Sequence, residues 1–216
     1  MSVGLTALVI IFQPELRKAL ENLGGKNVLG KLFDFGKVEE NKFSDHTIDE
    51  LIKACYAMGK VKTGALIVIE DEILLNEYVR TGIDIDAIIS SQLLINIFEK
   101  NTPLHDGAVI VRGDRVVSAT CYLPLSDSMT LSKDLGTRHR AAVGISEVSD
   151  SLTIVVSEET GKVSIAMRGQ IYRNVNADFL RGKLKYLQNR NQQVTKLGLL
   201  KRRFMNGKKD SKNLGE

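Results

Sequence analysis

The run Gly64–Glu70 (GALIVIE) is continuously apolar and rich in β-branched residues. A strand of that kind has no polar face to show to water, so it has to lie buried within a sheet that is covered by other elements. The segments around it supply the cover. Thr47-Ile48-Asp49-Glu50 reads as a capping box opening a helix. Ile48, Leu51, Ile52, Cys55 and Met58 then recur at helical spacing, and Gly59 closes the helix. A second helix is expected over Ile85–Phe98, with Ile88, Ile89, Leu93, Ile95 and Phe98 inside. Ala108–Arg112 and Val116–Tyr122 flank Gly113-Asp114 as a hairpin. Residues 138–147 read as a helix, and Leu152–Ser157 with Lys162–Arg168 as a second hairpin. Asn176–Gln188 is an amphipathic helix that turns Phe179, Leu180, Leu184 and Leu187 inward. The expected fold is α/β: one globular domain with a mixed, largely antiparallel central sheet surrounded by helices.

Size and charge narrow the function. The 216 residues leave room for one ordinary domain or two small ones, and 43% hydrophobic residues make the chain globular. No linker or internal repeat interrupts Phe43 to Gln188. The net charge of +4 hides a split, because residues 168–216 hold 13 Lys+Arg against 3 Asp+Glu while the rest is acidic. That argues against a protein that coats nucleic acid with a uniformly basic surface. With no Trp and 6% aromatics there is little to stack bases on. Cys55 and Cys121 are too few for a disulfide scaffold or a four-cysteine zinc site, and both lie in apolar runs as reduced core thiols.

The ends read separately. Residues 1–14 carry no charged side chain but have only about ten apolar residues, short of the ~20 that span a bilayer. They are either a short buried segment or the last part of a transmembrane helix. Residues 15–42 form a connector, with a helix over 15–23 ended by Gly24-Gly25. Residues 43–190 are the main domain, and 191–216 a basic, flexible tail.

Two segments carry chemistry. Leu104-His105-Asp106-Gly107-Ala108 precedes the strand AVIVR. An adjacent His105 and Asp106 can offer imidazole nitrogen and carboxylate oxygen to one divalent metal, and Gly107 permits close ligand approach. Taken alone, the tripeptide is also satisfied by an Asp-Gly turn beside an incidental histidine. Gly136-Thr137-Arg138-His139-Arg140 opens the helix over 138–147, with Thr137 as its expected N-cap. Two arginines in a first turn oppose the helix dipole, a conflict that an anion such as a polyphosphate would resolve. An exposed, hydrated basic turn is the plainer alternative. The third histidine, His46, lies in a loop before a helix and reads as surface or cap chemistry. No Walker loop, GxGxxG or serine elbow is present.

Asp106-Gly107-Ala108 followed about thirty residues later by Arg138-His139-Arg140, within PLHDGAVIV and LGTRHRAA, resembles the paired signature of the diadenylate cyclase (DAC) domain over roughly residues 40–170. FQPELR after an apolar segment further resembles the membrane-anchored type, here expected to lack most of its N-terminal transmembrane region. The resemblance implies condensation of two ATP into cyclic di-AMP with release of two pyrophosphates. It implies that Asp106 holds a divalent metal (Mn, Mg or Co) and helps activate the ribose 3′-hydroxyl, with His105 as a neighbouring ligand. Gly107 and Ala108 admit the nucleotide to the backbone. Thr137, Arg138, His139 and Arg140 hold phosphates, Tyr122 and Leu123 line the adenine pocket, and Ser157 and Glu159 lie near phosphates and metal. A product with two-fold symmetry implies two half-sites facing each other in a homodimer.

By the same resemblance the parent protein sits at the cell membrane with its catalytic domain in the cytoplasm, this chain alone being soluble. Its implied partners are a membrane regulator protein and a phosphoglucosamine mutase, with no nucleic acid. Two other readings remain: a non-catalytic sensor of ATP or cyclic di-AMP, and a nucleic-acid binder using the basic C-terminal region.

Overall fold

The computed structural model describes residues 43–129, 131–132 and 135–189, and seven of its strands form one sheet. In chain order they are β1 (Ala65–Ile69), β2 (Ile83–Ile88), β3 (Ala108–Arg112), β4 (Arg115–Cys121), β5 (Leu152–Val156), β6 (Val163–Met167) and β7 (Gln170–Tyr172). Across the sheet the order is β2-β4-β3-β1-β5-β6-β7. β1 and β3 run parallel, and the remaining neighbours pair antiparallel, so the sheet is mixed and largely antiparallel as expected. The helices are α1 (Asp45–Lys60), α2 (Asn76–Val79), α3 (Ser91–Ile97), α4 (Thr137–Val148) and α5 (residues 177–189).

The apolar run in β1 is explained by cover on both faces. Ala65, Ile67 and Ile69 pack into a core with Leu51 and Cys55 of α1, Leu94 of α3 and Leu184 of α5. Leu66 and Val68 point the other way, into a second core with Ala142 and Ile145 of α4. Every residue of β1 is therefore buried. Cys55 and Cys121 are free, buried thiols, and desolvation pushes Cys55 up to about 12.

Several local expectations are corrected. Ile85–Phe98 is not one helix: Ile83-Asp84-Ile85-Asp86-Ala87-Ile88 forms the edge strand β2, and a helix starts only at Ser91. The physical reason is the alternation of apolar and acidic residues, period two, followed by Ser90, whose Oγ accepts the Leu93 amide at 3.2 Å. Ile88, expected in the core, is 68% exposed on that edge, and Phe179 is 40% exposed on α5. α1 begins one turn before Thr47, capped by Ser44 Oγ, which accepts the Thr47 amide. The Thr47 hydroxyl instead donates to Asp114 in the β3–β4 turn, at 2.6 Å. The short strand β7 follows a positive-φ pair, Arg168 and Gly169, that extends the second hairpin into a third strand. The segments 1–14, 15–42 and 191–216 lie outside the described residues. Among the described residues no helix is long and apolar enough to cross a membrane.

Candidate active site

The sheet gathers the chemistry at one end. Ile67 pairs with Val109 in the parallel β1–β3 ladder, so Gly64 and Asp106, which precede the two strands, lie at the same end of the sheet. Cys121 pairs with Ala108, so Tyr122 and Leu123 leave β4 beside Gly107. Val156 pairs with Ala65, so Ser157, Glu158 and Glu159 leave β5 beside Gly64. Tyr172 pairs with Ile165 on β6, whose own start faces Val156, and Arg173 therefore emerges at the same end.

On the acidic side, Asp106 is exposed and Ala108 buried at the start of β3. Gly107 has a φ of 118°, in the region that favours glycine, and lies against the backbone of Thr120. His105 is half-buried, with Nδ1 2.6 Å from the Thr102 carbonyl oxygen. That oxygen can only accept, so Nδ1 carries a proton, and Nε2 is the ring nitrogen left to face a metal. No group of three or more His, Cys, Asp or Glu is clustered among the described residues. His105 and Asp106 are the candidate metal ligands on this side, one imidazole nitrogen and one carboxylate.

On the cationic side, Gly136 is the N-cap of α4 in extended conformation, without a side-chain cap, and Thr137 is the first helical residue. The expectation of Thr137 as N-cap is corrected. Its hydroxyl is displaced one position into the helix, where it lines a cleft with Arg138, His139, Ser157, Glu158 and Glu159. Arg138 Nη1 donates to Glu158 Oε2 at 2.7 Å. The same guanidinium lies over Gly64, where a Cβ would come 3.0 Å from Nη1. Burial holds the pKa of His139 below its ordinary value, and the nearby positive charges of Arg173 and Arg138 add to this, against Glu159.

The remaining expected residues are placed differently. Arg140 reaches the Ser126 carbonyl at 3.3 Å, and the Ser126 amide donates back to the Arg140 carbonyl at 3.0 Å. Arg140 thus anchors the 122–128 segment to α4 instead of lining the cleft. Tyr122 is 74% exposed, with its amide on Thr81 Oγ1 at 2.9 Å, and Leu123 is half-buried against the second core. The exposed His46 takes no part. Gly64, Glu158 and Arg173 were not visible as site residues in the sequence. Gly64 gave the one signal, a glycine opening a buried strand.

A cleft lined by a cationic helix start with no side-chain cap suits a phosphorylated ligand. The family agrees. Residues 52–171 match the DAC family, described as DisA bacterial checkpoint controller nucleotide-binding, and the chain belongs to it. That span contains the candidate site except Arg173. The chain is 51% identical over 182 residues to the cyclic di-AMP synthase CdaA of Bacillus subtilis, covering 84% of this chain and 65% of that one. It is 53% identical over 177 residues to a diadenylate cyclase of Listeria monocytogenes, covering 82% and 63%. The chain therefore spans just under two thirds of the length of these relatives. A crystal structure of a double mutant of DacA from Staphylococcus aureus superposes with a TM-score of 0.65 at 49% identity, over 66% of this chain and 95% of that one.

Proposed function

We propose that this chain is the catalytic domain of a diadenylate cyclase, which condenses two ATP into cyclic di-AMP and releases two pyrophosphates. The reading is supported by the parallel pairing of β1 with β3, which brings Asp106, just before β3, and Gly64, which Arg138 packs against just before β1, to the same end of the sheet. A carboxylate for the nucleophile and a guanidinium for the phosphates would then work from that end. His105 Nε2 and the Asp106 carboxylate would hold a divalent metal, Mn, Mg or Co, which when bound lowers the pKa of the attacking 3′-hydroxyl and offsets charge on the α-phosphate. In this reading Asp106 also accepts the hydroxyl proton. Arg138, Thr137 and the first amides of α4 hold the departing pyrophosphate, with Ser157 and Glu159 beside them. His139, kept neutral, donates a hydrogen bond without adding charge. Tyr122 and Leu123 border the base, and Arg140 sets the segment that carries them.

One chain supplies one such site, and a cyclic product with two-fold symmetry needs two, so the working form is a face-to-face homodimer. Anchoring at the cell membrane, with a membrane regulator protein and a phosphoglucosamine mutase as partners, belongs to the same reading through the family resemblance.

The test is incubation with ATP and Mn²⁺, with product followed by chromatography and mass. Cyclic di-AMP is expected from the parent chain, and none from Asp106→Asn, which still binds ATP. Binding of ATP by the parent without any product would favour a sensor. Full turnover by Asp106→Asn would remove the role given to that carboxylate.

A further inference from the structure

Arg138 is held from two sides by residues that come from different strands. Its Nη1 donates to Glu158 Oε2 at 2.7 Å, just past the end of β5. Its guanidinium lies on Gly64, just before the start of β1, where a Cβ would stand 3.0 Å from Nη1, 3.1 Å from Cζ and 3.1 Å from the Glu158 Cβ. Arg138 and Glu158 line the cleft, and Gly64 lies against both. The Arg138 side chain is 23% exposed and that of Glu158 is 53% exposed. Held this way, the guanidinium spends one nitrogen on Glu158 and keeps other donors in its plane for an anion.

We infer that Glu158 and Gly64 form a seat that positions Arg138, making Glu158 a positioning residue for the triphosphate of the substrate. The inference rests on the proposed cyclase reading for the identity of that ligand.

Two opposed effects decide its sign. The Glu158 carboxylate repels phosphate, which weakens binding. It also fixes a long side chain whose free rotation would otherwise have to be frozen on binding, which strengthens it. Glu158 is half in water, so its repulsion is screened. The guanidinium binds phosphate through directional, paired hydrogen bonds that depend on its plane. Orientation therefore outweighs repulsion. The Gly64 contact acts by shape alone: a methyl group there pushes the guanidinium out of plane by a few tenths of an ångström without changing any charge.

The experiment measures the dissociation constant of a non-cyclisable ATP analogue with Mn²⁺, and the KM and kcat for ATP. The proteins are the parent, Glu158→Gln, Gly64→Ala, Arg138→Ala, and each of the first two combined with Arg138→Ala. Glu158→Gln and Gly64→Ala are each expected to weaken analogue binding on the order of tenfold and to raise KM more than they lower kcat. Their melting temperatures should stay near the parent's. In the Arg138→Ala background neither change should have a further effect, because the seat acts only through that side chain. A merely structural role would persist in that background. Tighter binding by Glu158→Gln would show that the carboxylate competes with the phosphates, and would overturn the seat. Effects that add to those of Arg138→Ala would overturn it too. The binding arm is read whether or not product forms, so a parent that binds the analogue without cyclising ATP refutes the cyclase reading and leaves the seat to be judged on binding.

Discussion

Gly107 and Thr120 meet backbone to backbone: a Cβ on the glycine would lie 2.7 Å from the Cα of the threonine. Gly107 has a φ of 118°, and Thr120, a β-branched residue, is itself held at 56°. The contact falls where the β3–β4 register shifts, between Ala108 and Ile110. This irregularity turns the chain so that Asp106 stands at the rim and Tyr122 leaves beside it.

Gly107→Ala is therefore expected to strain both strands. A methyl group at this φ, meeting fixed backbone, should cost about 2–3 kcal/mol in urea unfolding. Turnover should fall by far more than stability accounts for, because Asp106 shifts with its neighbour. Unchanged activity in the product assay would mean that the close approach is not needed for the site.

Stability and activity should separate at the opposite end of β1. Glu70 has a side chain only 1% exposed and accepts Arg112 Nε at 2.5 Å, Arg112 Nη2 at 3.0 Å and the Leu75 amide at 2.8 Å. Arg112→Met leaves that buried carboxylate without its counter-charge and should cost ~3 kcal/mol in denaturant unfolding. The site lies at the other end of the strands, so KM and kcat at moderate temperature should stay within about twofold, a range expected for a change distant from the site. A large rise in KM would show that the two ends are coupled.

The stability of the free protein should weaken in mild acid through His139. Its folded pKa lies below the ordinary histidine value of 6.5, chiefly through burial, with Arg173 and Arg138 adding to it. Between the folded value and 6.5 the unfolded chain binds more protons, so stability rises with pH across that window. The contribution is complete above 6.5 and is lost as pH falls towards the folded pKa. His139→Asn should flatten this slope when melting temperature is followed below pH 6.5. An identical slope in parent and variant would assign the acid sensitivity to other groups.

Specific activity should rise with protein concentration, because each protomer presents one site and the product needs two. Turnover per protomer is expected to increase through the range in which dimers form and then level off. A specific activity independent of concentration down to the most dilute assay, with a monomer shown by light scattering, would refute a dimeric mechanism.

The outline of the molecule is legible in local patterns along the chain. The run GALIVIE required a strand buried on both faces, and β1 is that strand, with α1, α3 and α5 on one side and α4 on the other. The DGA and RHR segments marked the two halves of the candidate site, because a lone Asp-Gly at a strand mouth and two arginines opposing a helix dipole each stand out locally. Local patterns also misled where two periodicities met. Ile85–Ile88, the end of IDIDAI, reads as helix because the residues that follow are helical, although the segment's own period is two.

Which side chains meet is not legible in any single segment. Glu158 and Glu159 are neighbours in the chain with no local sign to separate them. Pairing of Val156 with Ala65 brings Glu158 to Arg138, twenty residues away. Arg138 and Arg140 look equivalent in the sequence, yet one lines the cleft and the other holds Ser126. Spacing along a chain fixes direction around a single helix or strand. Contact between elements depends on sheet order and register, which arise from burying both faces of the sheet at once.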